Sequence, residues 1–468
     1  MSIETATAIA HRVHGQGGRA LVVGGWVRDR LLGRHALDGP SLDRPSKDVD
    51  VEVYGLPGPQ LKALLETLAP VNAVGESFTV YKVLDVDVAL PRRESKIGRG
   101  HRAFDVSGDP DMAPEQAARR RDFTVNAIAW DPLTDTYLDP FDGRRDLIER
   151  RVLRAVDPQT FGDDSLRVLR GIQFAARFDL EMDPGTKEIC RRIPLDDLPA
   201  ERIWGEIEKL LLLSERPSVG LALALDLGVI DRLFPELKAL VECPQEPEWH
   251  PEGDVWVHTL LVIDGARLRI ADLDHPRQVT VMLGAVCHDL GKPLTTAFVD
   301  GRIRSIDHEQ AGVAPTVALL TRLNVQTIGG YDVARQVAGI VAHHLKPHAF
   351  SKSATPVGDG AFRRLAEKVD LELLARVATA DCHGRTGAFD CSAIDRFLER
   401  ARALGVEHHA PAPIVKGRHL LELGVEPGPR MGQILRRLYE QQLDGQVQTL
   451  DDGLARARGI VAEMQEQS

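Results

Sequence analysis

Apolar residues in positions 2–15 recur at helical spacing and lead into a short apolar strand, Ala20-Leu-Val-Val-Gly24. A Gly24-Gly25 turn follows, and a helix is expected near 26–33. In Asp48-Val-Asp50-Val-Glu52-Val the alternation is strict, so a strand over 48–54 turns Asp48, Asp50 and Glu52 to one face. Val49, Val51 and Val53 then point to the other face. A helix over 58–68 and strands near 78–83 and 84–90 come next, and the last alternates again, aligning Asp85 with Asp87. Residues 91–110 are rich in Gly, Arg and Ser and read as a mobile loop. Apolar packing resumes at Phe123-Thr-Val-Asn126, and Asp139-Pro-Phe-Asp-Gly143 reads as a turn. From about Gln159 the pattern is almost wholly helical. Pro244, Pro247 and Pro251 mark a linker, and a tail begins near Pro411. The expected fold class is α+β: a mixed-sheet head (1–157) with a helical neck (158–243), an all-α domain (244–402) and a small helical tail (403–468).

Composition narrows this picture. A chain of 468 residues exceeds one core, and about two to four domains are expected. The apolar fraction of 43% and charged fraction of 27% are those of a soluble globular protein. There is no apolar run of about 18 residues and no basic-then-apolar leader, so membrane insertion and secretion are not expected and a cytoplasmic location is. Five scattered cysteines with no Cys-x-x-Cys pair fit a reducing compartment and argue against a zinc ribbon or a disulfide framework. The net charge of −11 does not advertise nucleic-acid binding, yet Arg92 to Arg121 and Arg144 to Arg154 carry local basic surpluses. These clusters read either as a nucleic-acid surface or as solvated faces.

The Gly-Gly turn lets backbone N–H groups approach an anion, and a helix N-terminus favours negative charge. Carboxylates aligned on one strand face repel each other unless a cation lies between them. If the strand carrying Asp87 neighbours that carrying Asp48 and Asp50, three carboxylates could hold two Mg²⁺, activating a hydroxyl and clamping a triphosphate. The plainer reading is a pair of solvated edge strands. Further on, Asp163 or Asp164 suits the N-cap of a helix whose buried stripe is Leu166, Leu169 and Phe174. Asp164, Arg167 and Arg170 share a polar face, either as an intrahelical ion pair or as base readers. A carboxylate accepts from the amino group of cytosine or adenine while a guanidinium donates to the ring nitrogen beside it. Uracil and guanine would leave buried groups unpaired.

Together these motifs resemble the bacterial class II CCA-adding tRNA nucleotidyltransferases of the polymerase β-like nucleotidyltransferase superfamily. The match runs through Gly24-Gly25-x-x-Arg28-Asp29, Asp48-x-Asp50, Arg92-x-Glu94-x-Lys96, Arg120-Arg121-Asp122-Phe-Thr-Val-Asn126, Asp139-Pro-Phe-Asp-Gly143 and Asp164-x-x-Arg167-x-x-Arg170. The resemblance implies that Gly24, Gly25, Arg28 and Asn126 serve the triphosphate site. It implies that Asp48 and Asp50 bind Mg²⁺ with Asp87 as the third carboxylate, and that Arg121 contacts nucleotide. Asp164 and Arg167 would read the base with support from Arg170; the partners implied are tRNA, CTP and ATP, with no membrane and no obligate protein partner. Two positions depart from the family pattern: Asp163 stands where Glu is common, and Gln173 where many members carry arginine.

The helical region after the linker holds His258, His288-Asp289, His308, His343-His344 and Asp381, and His with Asp is the usual ligand set for a divalent cation. The order resembles the HD phosphohydrolase superfamily. That resemblance implies a minimal metal set of His258, His288, Asp289 and Asp381, with His308 and His343 adding ligands for a second metal, either a transition metal or Mg²⁺. A metal-held water could attack a phosphoester such as a 2′,3′-cyclic phosphate at a damaged RNA end. The tail around Gly417 to Leu435 resembles the C-terminal region of the same enzymes and reads as packing. The rivals are a CC-adding or A-adding enzyme, a poly(A) polymerase, or a phosphohydrolase whose head only senses RNA or nucleotide. The length of 91–110 disfavours the CC-adding reading, and the HD pattern disfavours the poly(A) polymerase.

Overall fold

Valine at every second position builds the middle of the head. The computed structural model describes residues 2–33, 49–74, 80–96, 104–352, 356–387 and 389–466, and it divides into two compact units, Met1–Pro235 and Glu236–Ser468. In the first unit the strands are β1 (Arg19–Val23), β2 (Val49–Tyr54), β3 (Val71–Val74), β4 (Val80–Val83), β5 (Val86–Ala89), β6 (Arg92–Lys96), β7 (Phe104–Gly108), β8 (Ala129–Asp131), β9 (Thr136–Leu138), and the short parallel pair β10 (Val152–Leu153) and β11 (Glu181–Met182). Seven of them form one mixed sheet in the order β3-β4-β5-β2-β1-β8-β9, with β2 and β5 parallel. Val49, Val51, Val53, Val86 and Val88 are buried against the helices Ser2–Gly15 and Gly58–Glu66, which present Ile9, Val13, Leu61 and Leu65. Each such side chain taken from water contributes roughly 1.5–3 kcal/mol. The valine face is thereby fixed inward and the carboxylate face outward. Two expectations need adjustment. The stretch 91–110 contains an antiparallel ribbon, β6 with β7, because Arg92 to Lys96 pairs with Phe104 to Gly108. Asp48 lies outside the described residues, and β2 begins at Val49.

The neck helix Leu166–Phe178 follows a 3-10 turn at Phe161–Asp163 and buries Leu166, Leu169 and Phe174 as its periodicity predicts. Its N-cap position is Ser165, neither Asp163 nor Asp164. Asp164, extended at φ −123°, nonetheless serves the same helix end, because its Oδ1 accepts from the Leu166 amide at 3.2 Å.

A buried polar chain ties this helix to the sheet. Arg170 Nε donates to Asp122 Oδ2 at 2.7 Å, and Asp122 Oδ1 accepts from the Phe123 amide at 2.7 Å and from Asn126 Nδ2 at 3.0 Å. Asn126 Oδ1 accepts from Arg28 Nη1 at 2.8 Å, and Arg28 donates twice more to Asp29. Burial alone would raise the Asp122 pKa, but Arg170, Asn126 and the Phe123 amide hold it below the ordinary carboxylate range.

The second unit is mainly helical. Asp254, Asp274, Asp332 and Asp370 each cap a helix, accepting from backbone amides at the starts of Val255–Arg267, His275–Cys287, Val333–His343 and Leu371–His383. Against the all-α expectation, a hairpin pairs Thr296–Val299 with Arg302–Ser305, and Thr327–Ile328 pairs with Tyr331–Asp332. The tail has its own small core of Leu420, Ile434, Leu438, Ala457 and Ile460. A further correction concerns the cysteines, since Cys382 and Cys391 form a disulfide. A helix end and the turn after it bring their Cα atoms to 6.0 Å, a proximity that cysteine spacing does not reveal. Among the described residues no helix is long and apolar enough to cross a membrane.

Asp122→Ala removes the acceptor shared by Arg170 and Asn126, and urea melts at pH 7 should report a loss of about 2–4 kcal/mol. The folded pKa is depressed, so this stabilisation is complete above the unfolded value near 3.9 and disappears as pH falls through the folded value. The wild-type advantage should accordingly shrink in acid; an undiminished gap, or none at pH 7, contradicts the tie.

Candidate functional site

In the parallel register of β2 and β5, Asp50 lies directly opposite Asp87. Both project from the face opposite the valines, into a cleft of about 620 Å³ in the first unit. Gly24, Gly25, Arg28, Asp50, Asp87, Arg121, Asn126, Asp164, Arg167 and Arg170 all line this cleft. Every head residue expected at the site is therefore brought together, Asp48 excepted, which is outside the described residues.

Gly24 has φ +77°, and a Cβ there would lie 3.2 Å from Asp50 Oδ2 and 3.4 Å from Arg121 Nη1. Its missing side chain is the space in which backbone, carboxylate and guanidinium converge. Two carboxylates on this face are already engaged. Glu52 accepts from Arg121 Nη2 at 3.1 Å and from the Tyr54 hydroxyl at 2.8 Å, and Asp87 receives Lys82 Nζ at 2.9 Å on both oxygens. Asp50 beside Asp87 is the donor set a hard cation requires, and a cation there competes with Lys82 for Asp87.

Asp164 and Arg167, the expected base readers, are held by partners that the motif does not contain. Asp164 accepts both Nη groups of Arg202, at 3.1 and 2.9 Å, while Arg167 donates to the carbonyls of Arg120 and Thr160. Asp164 and Arg167 are thus separately anchored, not an intrahelical ion pair. Arg202 stands on the helix Ala200–Leu213, and no local pattern marks it. Arg28 is buried, donates three times to Asp29 and Asn126, and lies 4.0 Å over the Phe178 ring. Burial lowers its pKa while Asp29 opposes the shift, and its three hydrogen bonds use three of its five N–H donors. Gln173 is 1% exposed at the cleft wall with neither amide atom partnered, an arrangement that costs free energy unless a ligand satisfies it.

The second unit gathers its histidines by a repeated device. Nδ1 of His288, His308 and His344 each lies 2.8 Å from a backbone carbonyl, of Ala285, Ser305 and Val341 respectively. His258 Nδ1 lies 2.8 Å from Glu252. A carbonyl can only accept, so His288, His308 and His344 carry a proton on Nδ1 and turn Nε2 inward, an orientation suited to a metal ligand. His258 Nε2 is 3.0 Å from Asp381, His288 Nε2 is 3.2 Å from Asp289, and His308 Nε2 is 3.3 Å from both Asp289 and His344 Nε2. Two ligand sets result, His258-His288-Asp289 and Asp289-His308-His344, each with ligand atoms within 4.8 Å and sharing Asp289.

His343 is not part of either set. It stands half-buried where burial, Lys368 and Lys346 lower its pKa, whereas the adjacent His344 turns inward. Consecutive residues at a helix end point in different directions, and packing decides which one enters. Burial alone would raise the pKa of Asp289 and Asp381, but neighbouring cationic groups hold both well below the carboxylate range. Burial, with His308 and His288 adding to it, pushes His344 down to about 3 and keeps it a neutral ligand. His288 Nε2 and both Asp289 oxygens have close neighbours but no well-directed hydrogen bond, as expected of groups arranged for a cation. Gly291 permits the close packing: a Cβ there would lie 1.9 Å from the His308 carbonyl. Sequence reasoning left Glu252 and Lys292 unassigned, although Lys292 follows Asp289 by one helical turn and pairs with it at 2.8 Å.

Comparison with known proteins agrees with this anatomy. Residues 20–154 match the poly A polymerase head domain, and residues 179–240 match the probable RNA and SrmB-binding site of polymerase A. The multifunctional CCA protein of Stenotrophomonas maltophilia (strain R551-3) is 37% identical over 385 residues, 79% of this chain and 87% of that protein. That of Xanthomonas campestris pv. campestris (strain B100) is 36% identical over 430 residues, 88% and 95% of the two chains. A CCA-adding enzyme solved with CTP superposes with a TM-score of 0.60 at 17% identity, covering 98% of this chain and 95% of the other. The Thermotoga maritima CCA-adding enzyme complexed with tRNA gives 0.57 at 17% identity over the same shares, 98% and 95%. These two show the fold; the identities of 36–37% across most of the chain show descent. The chain belongs to the CCA-adding tRNA nucleotidyltransferase family, that of the multifunctional CCA proteins.

Proposed function

We propose that the first unit adds C, C and A to the 3′ end of tRNA from CTP and ATP without a nucleic-acid template. The observation that carries this reading is one cleft holding the Asp50–Asp87 pair together with Asp164 and Arg167. Asp50 and Asp87, with Asp48, would hold Mg²⁺, which activates the attacking hydroxyl and offsets charge on the departing pyrophosphate. Gly24 and Gly25 let the backbone approach the triphosphate, and Arg121 neutralises it from beside Asp50. Arg28 contributes its two remaining donors and is held in place by Asp29 and Asn126. Asp164 accepts from the amino group of C or A while Arg167 donates to the ring nitrogen, and Arg170 fixes their helix through Asp122. Neither reader can satisfy U or G without leaving a buried group unpaired.

The second unit acts, in this proposal, as an HD phosphohydrolase on phosphate esters at RNA 3′ ends, including 2′,3′-cyclic phosphates. Its support is the set of inward Nε2 atoms around the shared carboxylate of Asp289. His258, His288, Asp289 and Asp381, with His308 and His344, would hold a divalent transition metal or Mg²⁺, which supplies an activated water. Both activities address the same RNA terminus, as suits a cytoplasmic protein of tRNA maturation and repair. A sensing head is disfavoured, since binding alone does not require opposed carboxylates beside a glycine cradle.

Product length settles the addition mode. With tRNA ending before the first C, CTP alone should add two residues and CTP with ATP three; incorporation stopping at CC with both nucleotides, or runs of A, refutes the assignment. Gly24→Ala forces a side chain toward Asp50 and Arg121 at a φ of +77°, and should lower kcat by about 100-fold while costing roughly 1–3 kcal/mol of stability in urea melts. For Asp164→Ala the expected result is relaxed choice toward U or G, measured as kcat/KM for each nucleotide; unchanged selectivity would remove Asp164 from base reading. His288→Ala should eliminate metal-dependent phosphodiesterase activity while nucleotide addition continues, and loss of both would contradict two separate sites.

A further inference from the structure

The second-unit cavity, of about 290 Å³, has two chemically different ends. Its floor carries the metal-ligand cluster together with the cations Lys292 and Arg385. Its rim carries Trp249, Ile303 and Leu345. Trp249 is 46% exposed, a large indole surface that packing within the unit leaves to solvent. The rim is nevertheless built. The Trp249 amide donates to the Glu246 carbonyl at 3.0 Å, and Glu246 Oε2 accepts from the Ile303 amide at 3.0 Å, fastening the Trp249 turn to the hairpin. Arg302 pairs with Glu248 at 3.0 Å across the same seam. On that hairpin Phe298, 76% exposed, lies opposite Ile303 in the strand register. A phosphate alone would use the floor and have no need of the rim. A nucleotide uses both, because every base has a π-face that stacks on an aromatic ring whatever its sequence.

We propose that Trp249 is a base-stacking subsite, so that the cavity takes a ribonucleotide phosphate ester, phosphate inward and nucleobase against the indole. This rests on the phosphohydrolase reading for the floor and adds the residue that holds the nucleobase. Base identity should matter little, since a stacking face makes no hydrogen-bond selection. The ligand is either a free nucleotide or the last nucleotide of an RNA chain, which share this chemistry.

The test uses the full-length, Mn²⁺-loaded protein, with Asp289→Ala titrated in parallel so that binding at the first-unit cleft is subtracted. Calorimetry compares inorganic phosphate, adenosine 3′-monophosphate and a short oligoribonucleotide ending in a 3′-phosphate. Wild type should bind the nucleotide at least about tenfold more tightly than phosphate. Trp249→Ala should lose that margin and keep its phosphate affinity, and Trp249→Phe should retain most of it. With adenosine 2′,3′-cyclic phosphate as substrate, Trp249→Ala should raise KM by a similar factor with kcat little changed. Equal affinity of wild type for nucleotide and phosphate, or an undiminished margin in Trp249→Ala, overturns the subsite. A Trp249-dependent margin without any hydrolysis upholds the subsite and defeats the phosphohydrolase reading instead. A margin for the oligoribonucleotide identifies an RNA end as the ligand, and a margin for the mononucleotide alone identifies a free nucleotide.

Discussion

The Asp122 carboxylate is the constraint on which the first unit depends. It is 7% exposed, and an isolated charge there would be costly, yet it accepts from Arg170, Asn126 and a backbone amide at once. Through Asn126 it reaches Arg28 and Asp29 on the helix that follows the Gly-Gly turn. The Gly-Gly turn with its helix and the neck helix bearing Asp164 and Arg167, to which the proposed function gives different tasks, are thereby held in one frame. A loosely packed joint at this point would let Asp164 and Arg167 drift relative to Asp50, and the proposed nucleotidyl transfer would not tolerate drift of about 1 Å.

The same logic of satisfied polar groups shapes the second unit. Three imidazoles, of His288, His308 and His344, are turned by backbone carbonyls on their Nδ1 side, which sets the direction of each ring, and His258 lies with Nδ1 2.8 Å from Glu252. Gly291 then lets the turn that bears His308 approach the end of the His288 helix. Asp289 is left with His288, His308 and Lys292 around it, a cluster of partial compensation that a divalent ion would complete. The first unit offers its cation carboxylates from an open strand face, whereas the second offers mixed nitrogen and oxygen donors from a buried pocket. Different metals suit such sites.

The overall charge of −11 conceals how the cations are used. Many are spent on structure: Arg170 on Asp122, Arg202 on Asp164, Arg28 on Asp29, and Arg150 with Arg154 on the buried Asp146. A count of basic residues along the chain is therefore a poor measure of the charge available to RNA.

Much of the molecule was legible without coordinates because periodicity reports burial directly. The alternation of Val and Asp in 49–52 gave the strand, its inner face and its outer face, and the stripe Leu166, Leu169, Phe174 gave the neck helix. The Gly-Gly and His-Asp motifs pointed to the two cavities that their residues line, since such motifs place the relevant residue types close together in the chain. What the chain order could not carry were contacts between distant segments. The Asp50–Asp87 register, Arg202 on Asp164, His344 rather than His343, Glu252 behind His258, and the Cys382–Cys391 bond all join elements whose approach is set by packing. Neighbouring residues on a helix end are chemically equal in sequence; only the direction imposed by the core distinguishes the one that enters a site from the one that faces away.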